Sequence, residues 1–497
     1  MQSDRGNCLG RRCPTYDSCF FYAARRRMEA AHLLVVNHHL YFSDLGLRED
    51  HAAILPPHDV VVFDEAHQLE DVATDHLGLH LGDGQVRYFL DGLLSPAGKG
   101  LLAHEAFEPA RPAVAVARTA AERFWGEVTG LVARGHDDAV RLGGDTPVEN
   151  VLSPALEALA QAMLRLEDRA GEADRQQELK AQAARAGQLA GAIRALLDPG
   201  DSAQVHYAQA GRGRAGASLA SAPLSVAPLL KERLFDATAS VILTSATLAA
   251  DDSERFLFLR RRLGIDTGQA LRLDSPFDYA AQARLILARS TLAPAGERYE
   301  RAVAAWLTRY LAGEGREGGA FVLFTSYQQL QAVHDLARPA LDAQRRFVLR
   351  HGDRMPREQM LDLFRRTGDA VLFGTASFWE GVDVPGDALR HVIIAKLPFE
   401  VPSHPVTQAR LQAIEARGGN AFMERTVPEA ILRLKQGFGR LIRTRRDTGT
   451  VAILDPRLLT KAYGRWFLRA LPGCRTELVD LVPEDAGDGH GRPEAVR

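Results

Sequence analysis

Residues 59–73 read DVVVFDEAHQLEDVA, and their pattern indicates the class of fold. The apolar residues Val60 to Phe63 predict a short buried strand, because β-branched and aromatic side chains favour strands. Asp64 and Glu65 follow this strand directly, and open parallel sheets bind their ligands at the carboxyl ends of their strands. A ligand site is therefore expected here, although a solvated turn at the end of a strand remains the competing interpretation.

Two acids in this position have a definite chemical use. The first can hold Mg²⁺, usually through water, and the second can accept a proton from a water molecule that attacks a γ-phosphate. We therefore expect Asp64 to hold Mg²⁺ and Glu65 to act as a general base. His67 is expected to relay the state of the nucleotide to neighbouring segments.

Outward from this stretch, strands and helices alternate along most of the chain, which predicts an α/β fold with a parallel sheet and helices on both of its faces. Strands are expected at 241–243, 321–324, 371–373, 392–395 and 451–454, and helices at 298–312, from Tyr327 and at 428–443. Residues 85–204 are rich in Ala, Leu, Glu, Arg and Gln, which predicts a mostly helical insertion.

The overall composition is that of a globular protein, with 46% hydrophobic and 25% charged residues. Lys and Arg number 61 against 63 Asp and Glu, so the overall charge supports neither nucleic-acid binding nor a membrane surface, and any polyanion site must be local. The sequence contains no run long enough for a membrane span and no secretory signal. The cytoplasm is the expected location.

The four cysteines are unevenly distributed, because three of them lie within the first twenty residues. In so long a chain, this pattern favours a reducing compartment and a metal or cluster site over a disulfide scaffold. Cys474 stands apart from the others and is expected to be a buried small apolar residue.

Residues 428–446 read PEAILRLKQGFGRLIRTRR and predict a helix to about residue 442. Gln436, Arg440 and Arg443 are spaced i, i+4 and i+7, so they are expected on one face. Two guanidinium groups there can neutralise charge on a transferring phosphoryl group, and an exposed basic face is the alternative. Two glycines in this helix, Gly437 and Gly439, indicate that another part of the backbone approaches it closely.

Residues 371–386 read VLFGTASFWEGVDVPG, in which a strand runs into hydroxyl and then aromatic residues. Hydroxyls and backbone N–H groups at a strand end can bind phosphates, and the rings of Phe378 and Trp379 can support unstacked bases. A role in the core is the competing account for these rings. The stretch FVLFTSYQQL has hydroxyls in the same position, at Thr325 and Ser326.

The order and wording of five segments resemble a known family of motors. DEAH, LTSATL, FVLFTSY, GTASFWEGVDVPG and QGFGRLIR look like motifs II to VI of the DinG/XPD-type superfamily-two iron–sulfur DNA helicases. CPTYDSCFFYAARRR and LLVVNHHLYFSDL are similar to the bacterial DinG/YoaA branch. The resemblance covers nearly the whole chain, and it implies an α/β fold of two RecA-like P-loop NTPase domains, the first incomplete, with an iron–sulfur segment and a helical arch insertion.

The resemblance implies the following organisation. It gives 1–30 as an iron–sulfur cluster segment, 31–84 as part of motor domain 1 with the DEAH box, 85–204 as the arch-like insertion, 205–280 as the remainder of motor domain 1 with motif III, 281–484 as motor domain 2, and 485–497 as a disordered tail.

The resemblance also implies an ATP-dependent DNA helicase of 5′ to 3′ polarity, acting in repair or replication on single-stranded DNA and on forked or RNA–DNA hybrid structures, with replication or repair proteins as possible partners. Its catalytic residues would be Asp64, Glu65, His67, Arg440 and Arg443, and its ATP contacts Gly381, Asp383 and Gln436. Its DNA contacts would be Asn37, His38, Thr325, Ser326, Phe378 and Trp379. Thr244, Ser245 and Thr247 would couple hydrolysis to DNA grip.

Cys8, Cys13 and Cys19 have the spacing C-x4-C-x5-C. By the resemblance they are three of the four thiolates that hold a [4Fe–4S] cluster. The family's first cysteine lies upstream of these three, and none of the seven residues before Cys8 is a cysteine. Zinc, with His32 or His38 as a fourth ligand, is the alternative.

A phosphate-binding loop of the form G-x-x-x-x-G-K-[ST] is absent from the sequence. The nearest stretch, GLLSPAGKG at 92–100, has the wrong spacing and lies after DEAH, so it is interpreted as an ordinary loop. We expect that the sequence starts inside motor domain 1 and that the chain alone hydrolyses ATP negligibly. A non-hydrolysing nucleic-acid-binding protein and an RNA helicase without a cluster are the rival functions.

Overall fold

The computed structural model is an α/β structure. It describes residues 8, 10–48, 53–135, 138–143, 148–166, 168, 173–198, 200–211, 216–248, 256–375, 378–379, 384, 386–400, 402–482 and 494–495. The strands are β1 Val60–Phe63, β2 His80–Gly82, β3 Ala139–Arg141, β4 Gln204–Ala210, β5 Ala217–Pro223, β6 Ser240–Leu243, β7 Ala283–Arg289, β8 Ala320–Leu323, β9 Val348–Arg350, β10 Val371–Gly374, β11 His391–Ile394, β12 Gly449–Ile453, β13 Arg475–Asp480 and β14 Glu494–Ala495.

The α-helices are α1 Phe20–Glu29, α2 His38–Leu47, α3 Leu69–His76, α4 Asp83–Leu93, α5 Arg111–Arg134, α6 Leu152–Leu164, α7 Ala173–Leu197, α8 Ala227–Leu230, α9 Leu257–Leu263, α10 Tyr279–Gln282, α11 Glu297–Ala312, α12 Tyr327–Ala343, α13 Arg357–Thr367, α14 Pro405–Ala416, α15 Val427–Phe438, α16 Arg457–Thr460 and α17 Gly464–Ala470. None of the helices in the described ranges is long and apolar enough to cross a membrane.

The chain forms two compact units. The first comprises Met1–Thr244, Arg261–Ile265 and Pro402–Arg417, and the second comprises Ser245–Arg260, Asp266–Val401 and Gly418–Arg497. The domain boundaries expected from sequence stay predictions, and the expected disordered tail lies outside the described residues except for 494–495.

In the first unit, β1 and β6 form a two-stranded parallel sheet whose register pairs Val60 with Ser240 and Phe63 with Leu243. Phe63 is buried and stacks on Phe42 of α2. The opposite face is exposed at Val60 and Val62, with 56% and 61% of their surface accessible. Parallel sheets are normally covered on both faces. This small sheet differs, because one of its faces is covered and the other is exposed.

The insertion between α3 and β6 is not purely helical. Helices α4 to α7 pack around one apolar core with part of a four-stranded antiparallel sheet of order β2–β5–β4–β3. The composition of residues 85–204 therefore predicted the helices but not β3. A strand of three residues is too short to show a detectable periodicity.

The second unit is built on an eight-stranded sheet of order β14–β13–β7–β12–β11–β8–β10–β9, in which only the β13–β14 pair is antiparallel. Helices α13, α15 and α17 cover one face and α11 and α12 cover the other, each with its own apolar core. The expectation of an α/β fold with helices on both faces of a parallel sheet is confirmed.

A buried tyrosine holds two strand ends together in this sheet. The Tyr299 side chain of α11 is 1% exposed, and its hydroxyl donates to the carbonyl oxygens of Ala395, at 2.5 Å, and Leu454, at 3.2 Å. Burial raises the pKa of Tyr299 well above its usual value. These carbonyls follow β11 and β12 directly, so the contact fixes the carboxyl ends of both strands.

His391, the first residue of β11, is 6% exposed. Its Nδ1 lies 3.0 Å from the Tyr310 hydroxyl and its Nε2 lies 2.9 Å from the carbonyl oxygen of Glu317. A neutral ring satisfies both contacts, because one nitrogen accepts and the other donates. Burial lowers the pKa of His391 from 6.5 to about 4, and three nearby guanidinium groups add to this effect. They belong to Arg284, Arg346 and Arg390.

This lowered pKa predicts that the stability of the second unit falls as the pH falls from 6.5 to about 4. In that window the unfolded chain binds a proton at His391 and the native chain does not, so acid favours unfolding, by up to about 1.4 kcal/mol per pH unit. His391→Gln should flatten the pH dependence of urea unfolding, followed by tryptophan fluorescence. Identical pH profiles for the variant and the wild type would contradict this prediction.

Candidate active site

The acids after β1 are tied to the end of β6. The Thr244 hydroxyl donates to Asp64 Oδ1 at 2.8 Å, and the backbone N–H of Glu65 donates to the same oxygen at 3.0 Å. The backbone continues the connection, because Thr244 donates its N–H to Phe63 and accepts one from Ala66. Asp64, Glu65 and Thr244 thus form one group at the carboxyl end of the β1–β6 sheet, called here the acidic edge.

Glu65 has a backbone conformation that is uncommon for a residue with a side chain. Its φ of 49° and ψ of 44° lie in the left-handed region, which costs an L-residue conformational energy and tends to occur at functional sites. The Glu65 side chain is 56% exposed, and His67 Nδ1 lies 3.4 Å from its Oε2. The turn therefore presents one carboxylate to solvent with an imidazole beside it.

Asn37 and His38 have structural contacts. Asn37 is the N-cap of α2, where its side-chain oxygen accepts the backbone N–H of Leu40 at 2.8 Å. The His38 ring lies edge-on to the ring of Phe63, with centroids 5.8 Å apart. These contacts fix the start of α2 against the last residue of β1, and the predicted DNA contacts of both residues stay predictions.

The three hydroxyl residues expected to couple hydrolysis to DNA grip differ in their surroundings. Thr244 belongs to the first unit and contacts Asp64, whereas Ser245 and Thr247 belong to the second unit. The Ser245 hydroxyl accepts the backbone N–H of Thr247 at 3.1 Å and lies 3.3 Å from its hydroxyl. These two residues therefore form a short turn directly after the acidic edge in the chain.

In the second unit, polar groups gather where β8, β9 and β10 end. The imidazole Nδ1 of His351 lies 2.7 Å from the Thr375 hydroxyl, and the Tyr327 hydroxyl lies 3.0 Å from His351 Nε2. Burial, helped by Arg357, lowers the pKa of His351. Sequence reasoning missed His351, although its place directly after a strand was the available signal.

Thr325 and Ser326 lie at the same end of the sheet. Thr325 follows β8 closely and is partly exposed. Ser326 is exposed and caps α12, where its hydroxyl accepts the backbone N–H of Gln329 at 3.3 Å. Their place at the carboxyl end of a parallel strand suits a ligand, and their predicted DNA contacts stay predictions.

Phe378 and Trp379 lie in the core of the second unit. Phe378 is 0% exposed and Trp379 is 4% exposed. The indole N–H of Trp379 donates to the carbonyl oxygen of Phe324 at 3.3 Å. Neither ring presents a face on which a base could stack, so the structure favours the competing interpretation that these rings belong to the core.

The predicted common helical face of Gln436, Arg440 and Arg443 is wrong. Helix α15 ends at Phe438 with Gly439 as its C-cap, and the following residues form a turn. The two glycines weaken the helix at this point, which the i, i+4, i+7 spacing alone does not take into account.

The turn nevertheless fixes both arginines. Arg440 Nε donates to the carbonyl oxygen of Trp379 at 3.0 Å, and the backbone N–H of Arg443 donates to the Asp447 carboxylate at 2.8 Å. Burial acts to raise the pKa of Asp447, but the donors around it lower this pKa overall. Arg443 is exposed.

The remaining predicted ATP contacts differ in status. Gln436 is buried within α15, with 8% of its surface exposed. Gly381 and Asp383 lie outside the described residues.

The cysteines do not assemble a ligand set. Cys8 Sγ lies 3.8 Å from the Tyr22 hydroxyl, Cys13 Sγ lies 3.2 Å from the Thr15 hydroxyl, and Cys19 is the N-cap residue of α1. No three His, Cys, Asp or Glu side chains converge into a metal site within the described ranges. The described residues therefore show neither a cluster site nor a zinc site, and both stay predictions.

Cys474 is half-buried beside the core of the second unit. Burial raises the pKa of its thiol to about 11, so this cysteine stays protonated and is a poor metal ligand at neutral pH.

Two protein families match parts of the chain. The Helicase C-terminal domain family matches residues 312–474, and the DEAD_2 family matches residues 9–86. The first range lies in the predicted motor domain 2, and the second includes Cys13, Cys19 and the acidic edge residues Asp64 and Glu65.

Curated relatives extend the match along the chain. The ATP-dependent DNA helicase YoaA of Escherichia coli (strain K12) is 33% identical over 95% of this chain and 72% of the relative. The ATP-dependent DNA helicase DinG of Photobacterium profundum is 39% identical over 49% of this chain and 35% of the relative. A solved XPD helicase structure matches 88% of this chain and 72% of its own, with a TM-score of 0.55 and 15% identity, which is a likeness of fold.

The contact between Gly437 and Trp379 gives a prediction. A Cβ at Gly437 would lie 2.8 Å from an indole carbon of Trp379, whereas one at Gly439 would meet only backbone carbonyl oxygens, the nearer being that of Lys435 at 3.3 Å. Gly437→Ala should therefore lower the free energy of unfolding by about 1–3 kcal/mol, because the core there is already filled. Gly439→Ala, the matched control, should cost less than half as much in urea denaturation. The reverse order would contradict this packing.

Proposed function

This chain belongs to the DinG/XPD-type family of superfamily-two ATP-dependent DNA helicases, and on that premise we propose that the acidic edge is where it hydrolyses ATP. The observation that carries the proposal is the contact of the Thr244 hydroxyl with Asp64 at 2.8 Å. It joins the two sequence motifs DEAH and LTSATL in one group at the end of a parallel sheet.

Asp64 would hold the Mg²⁺ of Mg–ATP. The contacts from Thr244 and from the Glu65 backbone both fall on Oδ1, and they orient the carboxylate. An oriented carboxylate is suited to a metal that keeps most of its water and takes one or two protein oxygens. Thr244 would therefore act as the positioning residue for Asp64.

Glu65 would act as the general base. Its side chain is exposed and projects from a left-handed turn, so it can reach a water molecule that the acidic edge holds near a γ-phosphate. His67 lies beside this carboxylate, where it would respond to the charge that Glu65 gains or loses. Proton acceptance by a positioned carboxylate supplies about 10²- to 10⁴-fold in rate.

In the second unit, we propose that Arg440 and Arg443 neutralise charge on the phosphoryl group. Their anchors differ: the Arg440 side chain is held by the carbonyl of Trp379, and the Arg443 backbone by Asp447. Both arginines therefore belong to one short, anchored segment of the chain. Gln436, Gly381 and Asp383 are proposed as ATP contacts on the resemblance alone.

DNA would be bound through polar groups of both units. We propose Asn37 and His38 in the first unit and Thr325 and Ser326 in the second. Such hydroxyl and amide groups can donate hydrogen bonds to the backbone phosphates of DNA. The substrates would be single-stranded DNA and forked or RNA–DNA hybrid structures, unwound with 5′ to 3′ polarity during repair or replication in the cytoplasm.

The sequence contains no phosphate loop of the form G-x-x-x-x-G-K-[ST]. We therefore propose that these 497 residues hydrolyse ATP slowly on their own. The missing loop also favours the second candidate, a nucleic-acid-binding protein that does not hydrolyse ATP.

The role of Glu65 gives a direct prediction. In the full-length polypeptide encoded by the same reading frame, Glu65→Gln should lower the kcat of DNA-stimulated ATP hydrolysis at least about 100-fold, because the water loses its proton acceptor. Binding of ATP and single-stranded DNA should be kept. The exposed Glu297 of α11 supplies the control Glu297→Gln.

Equal hydrolysis by Glu65→Gln and the wild type would remove Glu65 from the reaction. A full-length wild type that binds DNA but does not hydrolyse ATP would favour the non-hydrolysing candidate.

We propose the [4Fe–4S] cluster from the family resemblance and the spacing of Cys8, Cys13 and Cys19, and it has its own test. After anaerobic purification of the full-length polypeptide, we expect absorbance at about 400 nm and about four iron and four sulfide per chain. Cys13→Ser should lose them, and Cys474→Ser, as the control, should keep them. Stoichiometric zinc, or a colourless protein with neither metal, would contradict the cluster.

A further inference from the structure

Two short segments of the first unit are separated in sequence from the rest of it. Arg261–Ile265 and Pro402–Arg417, called here the return segments, are each bounded on both sides by residues of the second unit. The chain therefore leaves the second unit twice, contributes five and then sixteen residues to the first unit, and returns each time. Each return segment is thus joined by covalent bonds to the second unit at both of its ends.

Both return segments place an arginine on the same carboxylate. Glu70 of α3 is 5% exposed, and it forms an ion pair with Arg262 of the first return segment. Its other oxygen, Oε1, lies 3.4 Å from the guanidinium of Arg410 in the second return segment. All three groups are largely buried, so solvent screens these pairs less than it screens surface pairs.

Arg410 is held by further contacts that fix its geometry. It donates to the Thr74 hydroxyl at 2.7 Å, one turn after Glu70 on α3, and to the carbonyl oxygen of Leu224 at 3.0 Å, just after β5. A buried guanidinium with several donors in use holds its partners in fixed directions. Arg410 thus joins α14, α3 and the end of the antiparallel sheet.

The first return segment is also closely packed. Gly264 has a φ of +75°, and a Cβ there would lie 2.3 Å from the carbonyl oxygen of Ala227. This segment therefore has a backbone contact in addition to Arg262, whereas the second depends on Arg410 together with the apolar contacts of α14.

Helix α3 begins four residues after Glu65, because the short 3₁₀ turn Ala66–Gln68 leads directly into Leu69. The acidic edge and Glu70 therefore share one short, continuous stretch of chain. Glu70 thus lies only five residues after Glu65 in this stretch.

We infer that Glu70, bound by Arg262 and Arg410, is a positioning residue that fastens both return segments to the helix after Asp64 and Glu65, and so couples the second unit to the acidic edge. The coupling half of this inference rests on the proposed function, whereas the fastening half does not. The two return segments thus share one carboxylate, and each contributes its own arginine to it.

The fastening half is tested by hydrogen exchange of the 497-residue chain. Glu70→Gln should speed amide exchange at least about fivefold in both return segments, because it weakens both anchors. Arg410→Met should affect Pro402–Arg417, and Arg262→Met should affect Arg261–Ile265, each without the other. Glu429→Gln, which removes a similarly shielded carboxylate paired with Arg425, should change neither. Wild-type exchange in either return segment of Glu70→Gln would overturn the inference.

The coupling half is tested in the full-length polypeptide by the number of ATP molecules hydrolysed per base pair unwound. Glu70→Gln should raise this ratio about fivefold, whereas a merely stabilising residue would lower hydrolysis and unwinding together. Asp342→Asn, at an exposed ion pair of α12, is the control. An unchanged ratio would overturn the coupling, and a wild type with neither activity would overturn the proposed function while the exchange result still decides the fastening.

Discussion

The parallel pairing of β1 with β6 is the constraint on which the candidate site depends. It sets Phe63 opposite Leu243, so the next residues of the two strands, Asp64 and Thr244, come out at the same end. The hydroxyl of one then reaches the carboxylate of the other at 2.8 Å. A slip of one residue would turn every side chain of β1 to the other face of the sheet and would separate these two groups. The register is thus a condition for the chemistry as well as for packing.

The second unit follows the same principle on a larger scale. Its parallel strands end together, which gathers Thr325, His351 and Thr375 at one end of the sheet although they are far apart in sequence. Apolar cores on both faces leave the strand ends as the place where polar groups can collect. Tyr299 adds to this order, because one hydroxyl bridges the ends of β11 and β12. Rigid strands with polar ends suit a protein that must hold phosphates in fixed positions.

Sequence reasoning was sufficient where the signal is local. Runs such as Val371 to Phe373 gave the strands, and the acids after Phe63 gave the acidic edge. Sequence reasoning was insufficient where tertiary packing determines the position of a side chain. A residue such as Trp379 can lie on a base-stacking surface or in a core, and its packing against Gly437 distinguishes the two positions. The spacing of Arg440 and Arg443 suggested a continuous helix, but Gly439 ends it. Glu70 pairs with Arg262 and Arg410. Both arginines lie far from Glu70 in the sequence, and no local pattern reveals such contacts.

We propose that Asp64 holds the metal of Mg–ATP at the acidic edge. Backbone cleavage by Fe²⁺ can test this role, because Fe²⁺ in place of Mg²⁺, with ascorbate and peroxide, cuts the chain near the metal. With an ATP analogue bound to the full-length polypeptide, we expect cuts beside Asp64 and beside Thr244, which disappear in Asp64→Ala. Cuts at other positions, or the same cuts in the variant, would contradict it.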